Sequence, residues 1–241
     1  MFEKEFLIPY FHTDKDGYLR FPIILAYMAE TSSWHSDSIG VGINELINTD
    51  LGWMLNKWEV KVESYPKSKE VVVVNTWTSD FNRFYATREF VMKDSSGNVL
   101  AVATTQWILI NMTRKRPVRI PEDFIEKYKR IKKTNFEHFT DLNLVLDNIS
   151  LTSKFTVRRS DIDNNNHVNN IRYIEWVIED VEDDLYKDMK IQEFAIIYKK
   201  EILEGSLIET GHTRKEEKLI HKITTSGEVN AIAMTKWKKK D

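Results

Sequence analysis

The sequence predicts an α+β fold made twice: two helix-plus-antiparallel-sheet units in one chain. Three observations predict it. The first is an internal repeat. Ser95-Ser-Gly-Asn-Val-Leu-Ala-Val-Ala-Thr-Thr-Gln-Trp107 aligns without gaps to Thr225-Ser-Gly-Glu-Val-Asn-Ala-Ile-Ala-Met-Thr-Lys-Trp237, with seven identities in thirteen positions. A long-period duplication of this kind means two copies of one supersecondary unit. The second is order: each half places one helical pattern ahead of a run of strand patterns, which suits a helix against an antiparallel sheet. The third is a basic, low-periodicity stretch that separates the halves.

In the first half Pro22 sits where a first helical turn tolerates proline. Ile24, Leu25, Met28 and Ala29 keep helical spacing, and Gly40 is a stop. Strands are expected near Trp53–Tyr65, Glu70–Ser79, Arg83–Lys93 and Val99–Met112, the Val71–Val74 run being the clearest. In the second half a helix is expected from about Ile171 to Leu185. Strands follow near Glu193–Leu203, Leu207–Arg214, Glu217–Thr224 and Val229–Lys238. In each repeat Ser-Gly reads as a hairpin tip, and Val-x-Ala-x-Ala-x-Thr-x-Trp reads as a strand with one buried face. The expected domains are therefore 1–112, a basic linker over 113–148, and 149–241.

Bulk properties narrow the function classes. With 241 residues, 41% apolar and 12% aromatic, the chain can bury a substantial core. A net charge of −2 gives no global field for nucleic acid or membrane. There is no Cys, which removes disulfides, thiolate metal sites and a Cys nucleophile; a reducing, cytoplasmic location is the simplest reading. The N-terminus carries early acid and no signal-peptide core, and no stretch reaches the roughly 18 apolar residues of a membrane span. No Gly-rich phosphate loop appears and the histidines lack metal-ligand spacing, so no metal and no cofactor are expected.

The densest chemistry lies in Asp161-Ile-Asp-Asn-Asn-Asn-His-Val-Asn-Asn170, where eight of ten residues are polar and seven are Asp or Asn. One or two such residues suffice to turn a chain. Asp163, Asn165 and His167 alternate, so an extended segment would put all three on one face. The following helix would offer free N–H groups at Val168, Asn169 and Asn170 to an anion. Helix capping by Asn169 or Asn170 explains part of the cluster without any catalysis. A second charged feature runs from Thr113 to Lys133, with nine basic and three acidic residues. It reads either as a solvated linker or as a docking surface for an acidic partner.

These residues fit a known pattern: Asp163-x-Asn165-x-His167-Val-Asn-Asn170, then Tyr173-Ile-x-Trp176, then Tyr198-Lys-Lys-Glu201. In the first half, Trp53 through Tyr65-Pro66, Val71-Val-Val-Val-Asn-Thr-Trp77 and Asn111-x-x-Arg114 followed by Ile120-Pro-Glu122 agree as well. The chain resembles the acyl-acyl carrier protein thioesterases, the plant chain-terminating enzymes of fatty acid synthesis and their bacterial relatives. The resemblance covers nearly the whole chain. It implies a tandem double hotdog, a monomeric pseudo-dimer or its homodimer, with an N-terminal hotdog that holds the acyl chain and a catalytic C-terminal hotdog.

The resemblance further implies a catalytic set of Asp163, Asn165, His167 and Glu201. Plant members carry Cys directly after the Glu; here Ile202 stands there, so acid, amide and imidazole must carry the reaction. A Glu201 buried beside Ile202 would be a stronger base near neutral pH. Asp163 is left between fixing the loop and acting as nucleophile. The reaction implied is hydrolysis of the thioester of acyl-acyl carrier protein. The alternatives are an acyl-CoA thioesterase of the hotdog class and a non-catalytic acyl-binding regulator. Arg114, Lys115 and Arg116 would meet the acidic carrier protein. Placing Asp163 on Asp14 puts Asn165 on Asp16 and His167 on Tyr18, so the first copy lacks the acid/base set.

Overall fold

The computed structural model describes residues 1–142, 149, 151–163 and 166–240. They form two compact units, one of residues 1–56 and 60–138, the other of residues 57–59 and 139–241.

The first unit opens with strand β1 (Phe2–Leu7) and helix α1 (Phe21–Ser38), with Pro22 in its first turn as expected. A short α2 (Ile43–Asn48) follows. Next come β2 (Leu51–Val62), β3 (Val71–Asn82), β4 (Tyr85–Asp94), β5 (Val99–Asn111), the two-residue β6 (Arg116–Pro117) and α3 (Glu122–Tyr128). The sheet order is β1-β3-β4-β5-β2, with β6 pairing the end of β5. Helix α1 packs on β3 and β1. It buries Ile24, Leu25 and Met28 completely, alongside Phe90, Met92 and Trp77 of the sheet. Each such side chain contributes roughly 1.5–3 kcal/mol, which is what holds a single helix on a sheet of this size.

The basic stretch expected to link the halves is instead mostly part of this unit. Its first residues make the β5–β6 turn. Ile120, Phe124 and Ile125 then pack with Leu109 and Ala86. Farther on, Asn135 is bound at three points: its N–H reaches Glu89 Oε2 at 3.0 Å, and its amide donates to the Phe90 and Ala103 carbonyls. Glu89 is fully buried and also accepts from Ser79 and Thr104, which compensates a charge that would be costly alone. Residues 143–148, the end of the expected linker, lie outside the described residues.

The second unit contains β7 (Ser153–Thr156), α4 (Asn170–Glu179), α5 (Asp183–Asp188), β8 (Met189–Tyr198), β9 (Leu207–Lys215), β10 (Lys218–Thr225) and β11 (Glu228–Lys239). Its sheet order is β8-β11-β10-β9-β7, and α4 packs on β10. The helix expected from Ile171 to Leu185 breaks in two. Asp180, at the end of α4, turns its carboxylate into the interior to accept from Thr152 and Thr210, so the chain cannot continue straight. Asp183 and Asp184 then suit the first turn of α5, where carboxylates favour the helix dipole.

The repeat holds at atomic detail. Trp107 Nε1 donates to Thr105 Oγ1 and Trp237 Nε1 to Thr235 Oγ1, both at 2.8 Å. At the second hairpin tip Ser226 and Gly227 both have positive φ, 50° and 79°, as a two-residue turn with the twist of its strands requires. Among the described residues no helix is long and apolar enough to cross a membrane.

Candidate active site

The Asp/Asn-rich segment does not run extended. It closes on itself: the Asp163 N–H donates to the His167 carbonyl at 2.9 Å and the Asn166 N–H to the Asp163 carbonyl at 3.1 Å. Ile162 and Val168 bridge across the base of the turn. Asn166 takes φ 62°, a left-handed conformation that Asn tolerates better than most residues. Asp163 and His167 are therefore brought together by turn closure, not by the two-residue alternation of a strand. Asn164 and Asn165 lie outside the described residues.

Buried polar contacts fix both ends of the turn. Asp161 is buried and accepts from the Arg158 N–H at 2.9 Å, while its own carbonyl accepts from the Asn169 N–H at 2.9 Å. Arg172, in the first turn of α4, reaches Asp161 at 3.5 Å and the Ser160 carbonyl at 3.2 Å. Asn169 caps α4 through its side chain, which accepts from the Ile171 N–H at 2.9 Å, the capping role the sequence also allowed.

Glu201 arrives from a loop rather than from the expected strand. β8 ends at Tyr198 because the next two N–H groups, of Lys199 and Lys200, converge on one carbonyl, that of Asn230. The chain peels away, and buried Ile202 anchors the loop while its carbonyl accepts from the Val168 N–H at 2.9 Å. That single backbone bond joins the two loops. It sets Glu201 Oε2 3.0 Å from His167 Nε2. The Glu201 side chain is 41% exposed and that of His167 22%. The burial expected for Glu201 beside Ile202 is absent; Ile202 is buried in its stead. The pair is open to an incoming substrate and water.

A tyrosine completes the floor. Tyr173 lies buried in α4, and its hydroxyl is held protonated first by burial, then by the negative charges of Glu201 and Asp163, against a weaker opposing backbone hydrogen bond from Ile202. Tyr198 packs edge-on to it, with ring centroids 5.3 Å apart, and donates to the Asn170 carbonyl at 3.1 Å. The sequence offered a weak signal for Tyr173: it opens the Tyr173-Ile-x-Trp176 pattern on the buried side of α4.

Two of the expected oxyanion donors are otherwise engaged. The Val168 N–H goes to Ile202 and the Asn169 N–H to Asp161, so neither points at a substrate. Asn170, the first residue of α4, keeps that role open. Arg114, Lys115 and Arg116 are exposed on the β5–β6 turn of the first unit, which Asn111 and Asp50 brace by accepting the Arg114 and Thr113 N–H groups. Among the described residues, the one group of His and carboxylate side chains close enough to share an ion is Asp180, His212 and His221, beyond the opposite end of α4.

With this geometry in view, comparison with known proteins is informative. Residues 1–128 match the acyl-ACP thioesterase N-terminal domain and residues 146–239 the acyl-ACP thioesterase C-terminal domain. The chain is 26% identical over 223 residues to a chloroplastic palmitoyl-acyl carrier protein thioesterase of Arabidopsis thaliana, covering 87% of this chain and 54% of that protein. It is 22% identical over 233 residues to a chloroplastic oleoyl-acyl carrier protein thioesterase of the same plant, covering 90% and 64%. The chain thus spans little more than half the length of the curated relatives it matches. The solved structure of a 12:0-ACP thioesterase from Umbellularia californica superposes with a TM-score of 0.88 at 24% identity, covering 99% of this chain and 97% of that one. Its fold, and so the double hotdog, is shared.

Proposed function

Because the chain belongs to the acyl-ACP thioesterase family, we propose that it hydrolyses the thioester of an acyl group carried on the phosphopantetheine arm of an acyl carrier protein. The observation that carries this reading is the His167–Glu201 pair, held at 3.0 Å by backbone bonds and open to solvent. In the reaction a water oxygen bonds to the thioester carbon and the carbon–sulfur bond breaks. The water's proton passes through the pair to the departing thiolate, giving a free fatty acid and the carrier thiol.

Glu201 is assigned to orienting and deprotonating the water and His167 to delivering the proton to sulfur, a division that their contact and shared access support. The Asn165 amide is assigned to the water or to the carbonyl oxygen. Asp163 is assigned to holding the turn, since its backbone already closes it at both ends. Asn170, at the start of α4, is assigned to the oxyanion, where a helix N-terminus favours negative charge. Tyr173 is assigned to holding the loop that carries Glu201, through the hydrogen bond its hydroxyl accepts from the Ile202 N–H.

The carrier protein is assigned to the exposed Arg114-Lys115-Arg116 turn, because acidic partners are steered by basic rims. Reversing these three charges raises KM for carrier-linked substrate and leaves a small acyl thioester unaffected. An equal effect on both substrates removes the docking assignment. The hydrolytic assignment is tested with acyl-carrier substrates from short to long chains. Release of free fatty acid at rates that depend on Glu201 supports it; ligand binding without turnover identifies an acyl-binding protein instead.

A further inference from the structure

A second cluster of chemistry-bearing residues lies about 15 Å from the first, ten helical residues away at the opposite end of α4. Asp180 follows the helix there. His212 on β9 and His221 on β10 are direct cross-strand partners, so their side chains share a face. One ligating atom from each of the three residues lies within 4.8 Å of the others. The histidines are nine residues apart on two strands, which is why no ligand motif shows along the chain.

The arrangement is built, not incidental. Asp180 has a side chain 1% exposed, and its Oδ2 meets His212 Nδ1 at 3.0 Å. His212 Nε2 is turned to Glu182 Oε1 at 3.3 Å. His221 is fully buried and its Nε2 meets Thr235 Oγ1 at 2.9 Å. The remaining nitrogen, His221 Nδ1, is buried with no hydrogen-bond partner among the described residues. Buried polar atoms are nearly always satisfied, so this one calls for a group the protein does not supply.

The fold does not demand these residues. The same positions in the first unit, found from the helix and strand registers, are Thr31, Thr76 and Phe90. There none of the three equivalent residues can ligate through an imidazole or carboxylate, and the buried Arg88 guanidinium, 3.4 Å from Thr76 Oγ1, would exclude a cation.

We infer that Asp180, His212 and His221 form a divalent transition-metal site of the zinc class. Two imidazoles and a carboxylate suit that ion. Each imidazole has one nitrogen turned to the cluster and the other held by an outer partner, Glu182 or Thr235, the pattern that orients metal-bound histidines. The C-terminal end of α4 adds a favourable negative potential. The ion replaces the proton shared by Asp180 and His212 and satisfies His221 Nδ1. It serves to tie α4 to the β9–β10 hairpin and takes no part in hydrolysis.

The test is titration of the metal-stripped full chain with zinc chloride against a chromogenic chelator, alongside thermal melts. The expected result is saturable uptake of a single equivalent with a raised melting midpoint. Uptake persists in His167→Ala, weakens by about tenfold in Glu182→Gln, where only an exposed outer partner changes, and is lost in His212→Gln and Asp180→Asn. Absence of saturable uptake by the folded wild-type chain overturns the inference. So does uptake that survives His212→Gln and Asp180→Asn, or that disappears in His167→Ala.

Discussion

The two copies of the turn before the helix are the same object in backbone and different objects in side chain. In the first, the Asp14 N–H donates to the Tyr18 carbonyl at 2.8 Å and the Gly17 N–H to the Asp14 carbonyl at 3.0 Å; in the second, Asp163 and His167, and Asn166 and Asp163, repeat both bonds. Thr13 and Leu19 bridge as Ile162 and Val168 do. Gly17 and Asn166 share positive φ. Leu19 donates to the Pro66 carbonyl as Val168 donates to that of Ile202. Tyr18 thus stands at the position of His167, and Tyr65 at that of Glu201. Where the second copy has an open imidazole–carboxylate pair, the first has two phenols, and Tyr65 is kept neutral by burial and by the charge of Asp14. The turn is a scaffold that the fold needs twice and the proposed chemistry uses once.

That contrast gives graded expectations. The largest effect belongs to the second copy: Glu201→Ala and His167→Ala each lower kcat by about a hundredfold or more, with unchanged melting curves because neither side chain is buried. A loss of folding in these variants breaks the contrast. Asn165→Ala lowers kcat similarly, measured on the same acyl-carrier substrate.

The first copy affects stability instead. Asp14 accepts from the Asp16 and Tyr18 N–H groups, both at 2.9 Å. Asp14→Ala therefore destabilises the chain by about 1 kcal/mol in denaturant melts and leaves kcat within twofold. A fall in kcat comparable to that of Glu201→Ala contradicts the division of labour. Next in size, Asn166→Ala loses roughly 1 kcal/mol through its left-handed backbone, whereas Asn166→Gly, which copies Gly17, is close to neutral.

A separate expectation is a pH dependence that arises from His35 in the first unit. His35 is buried against Arg88, with Nδ1 3.0 Å from the guanidinium. Burial first, then the Arg88 charge, pushes its pKa from 6.5 to about 4. The unfolded chain therefore takes up a proton that the folded chain refuses between those values. The resulting stability is complete above pH 6.5 and is lost as pH falls toward 4. His35→Gln flattens this part of the stability–pH curve; an unchanged curve shows that the histidine does not contribute.

Much of this was legible in the sequence where local pattern and tertiary role agree. The hairpin repeat predicted two units, and the helix and strand signals of α1 and β3 to β5 fell in place because their faces are buried in the ordinary way. β1 was missed because its inward-facing positions include Lys4, whose ammonium lies 3.3 Å from the Trp34 ring centroid. A lysine covering an aromatic ring hides the alternation of a strand. β7 is only four residues, Ser-Lys-Phe-Thr, too short and too polar to announce itself. The break in the second helix depends on Asp180 finding Thr152 and Thr210, partners far away in sequence.

At the site, the pairing of His167 with Glu201 was foreseen through family resemblance, not from spacing, since 33 intervening residues carry no local signal. The loop position and exposure of Glu201 were not foreseen. They follow from two lysine N–H groups sharing the Asn230 carbonyl and from the burial of Ile202, which are tertiary facts.

The most direct measurement is single-turnover hydrolysis of an acyl-acyl carrier protein by Glu201→Gln, which keeps size and hydrogen bonding and removes the base. The account predicts a chemical step slowed by about a hundredfold or more, with unchanged substrate binding and melting midpoint. A chemical step within a few-fold of wild type, in a folded variant, would contradict it.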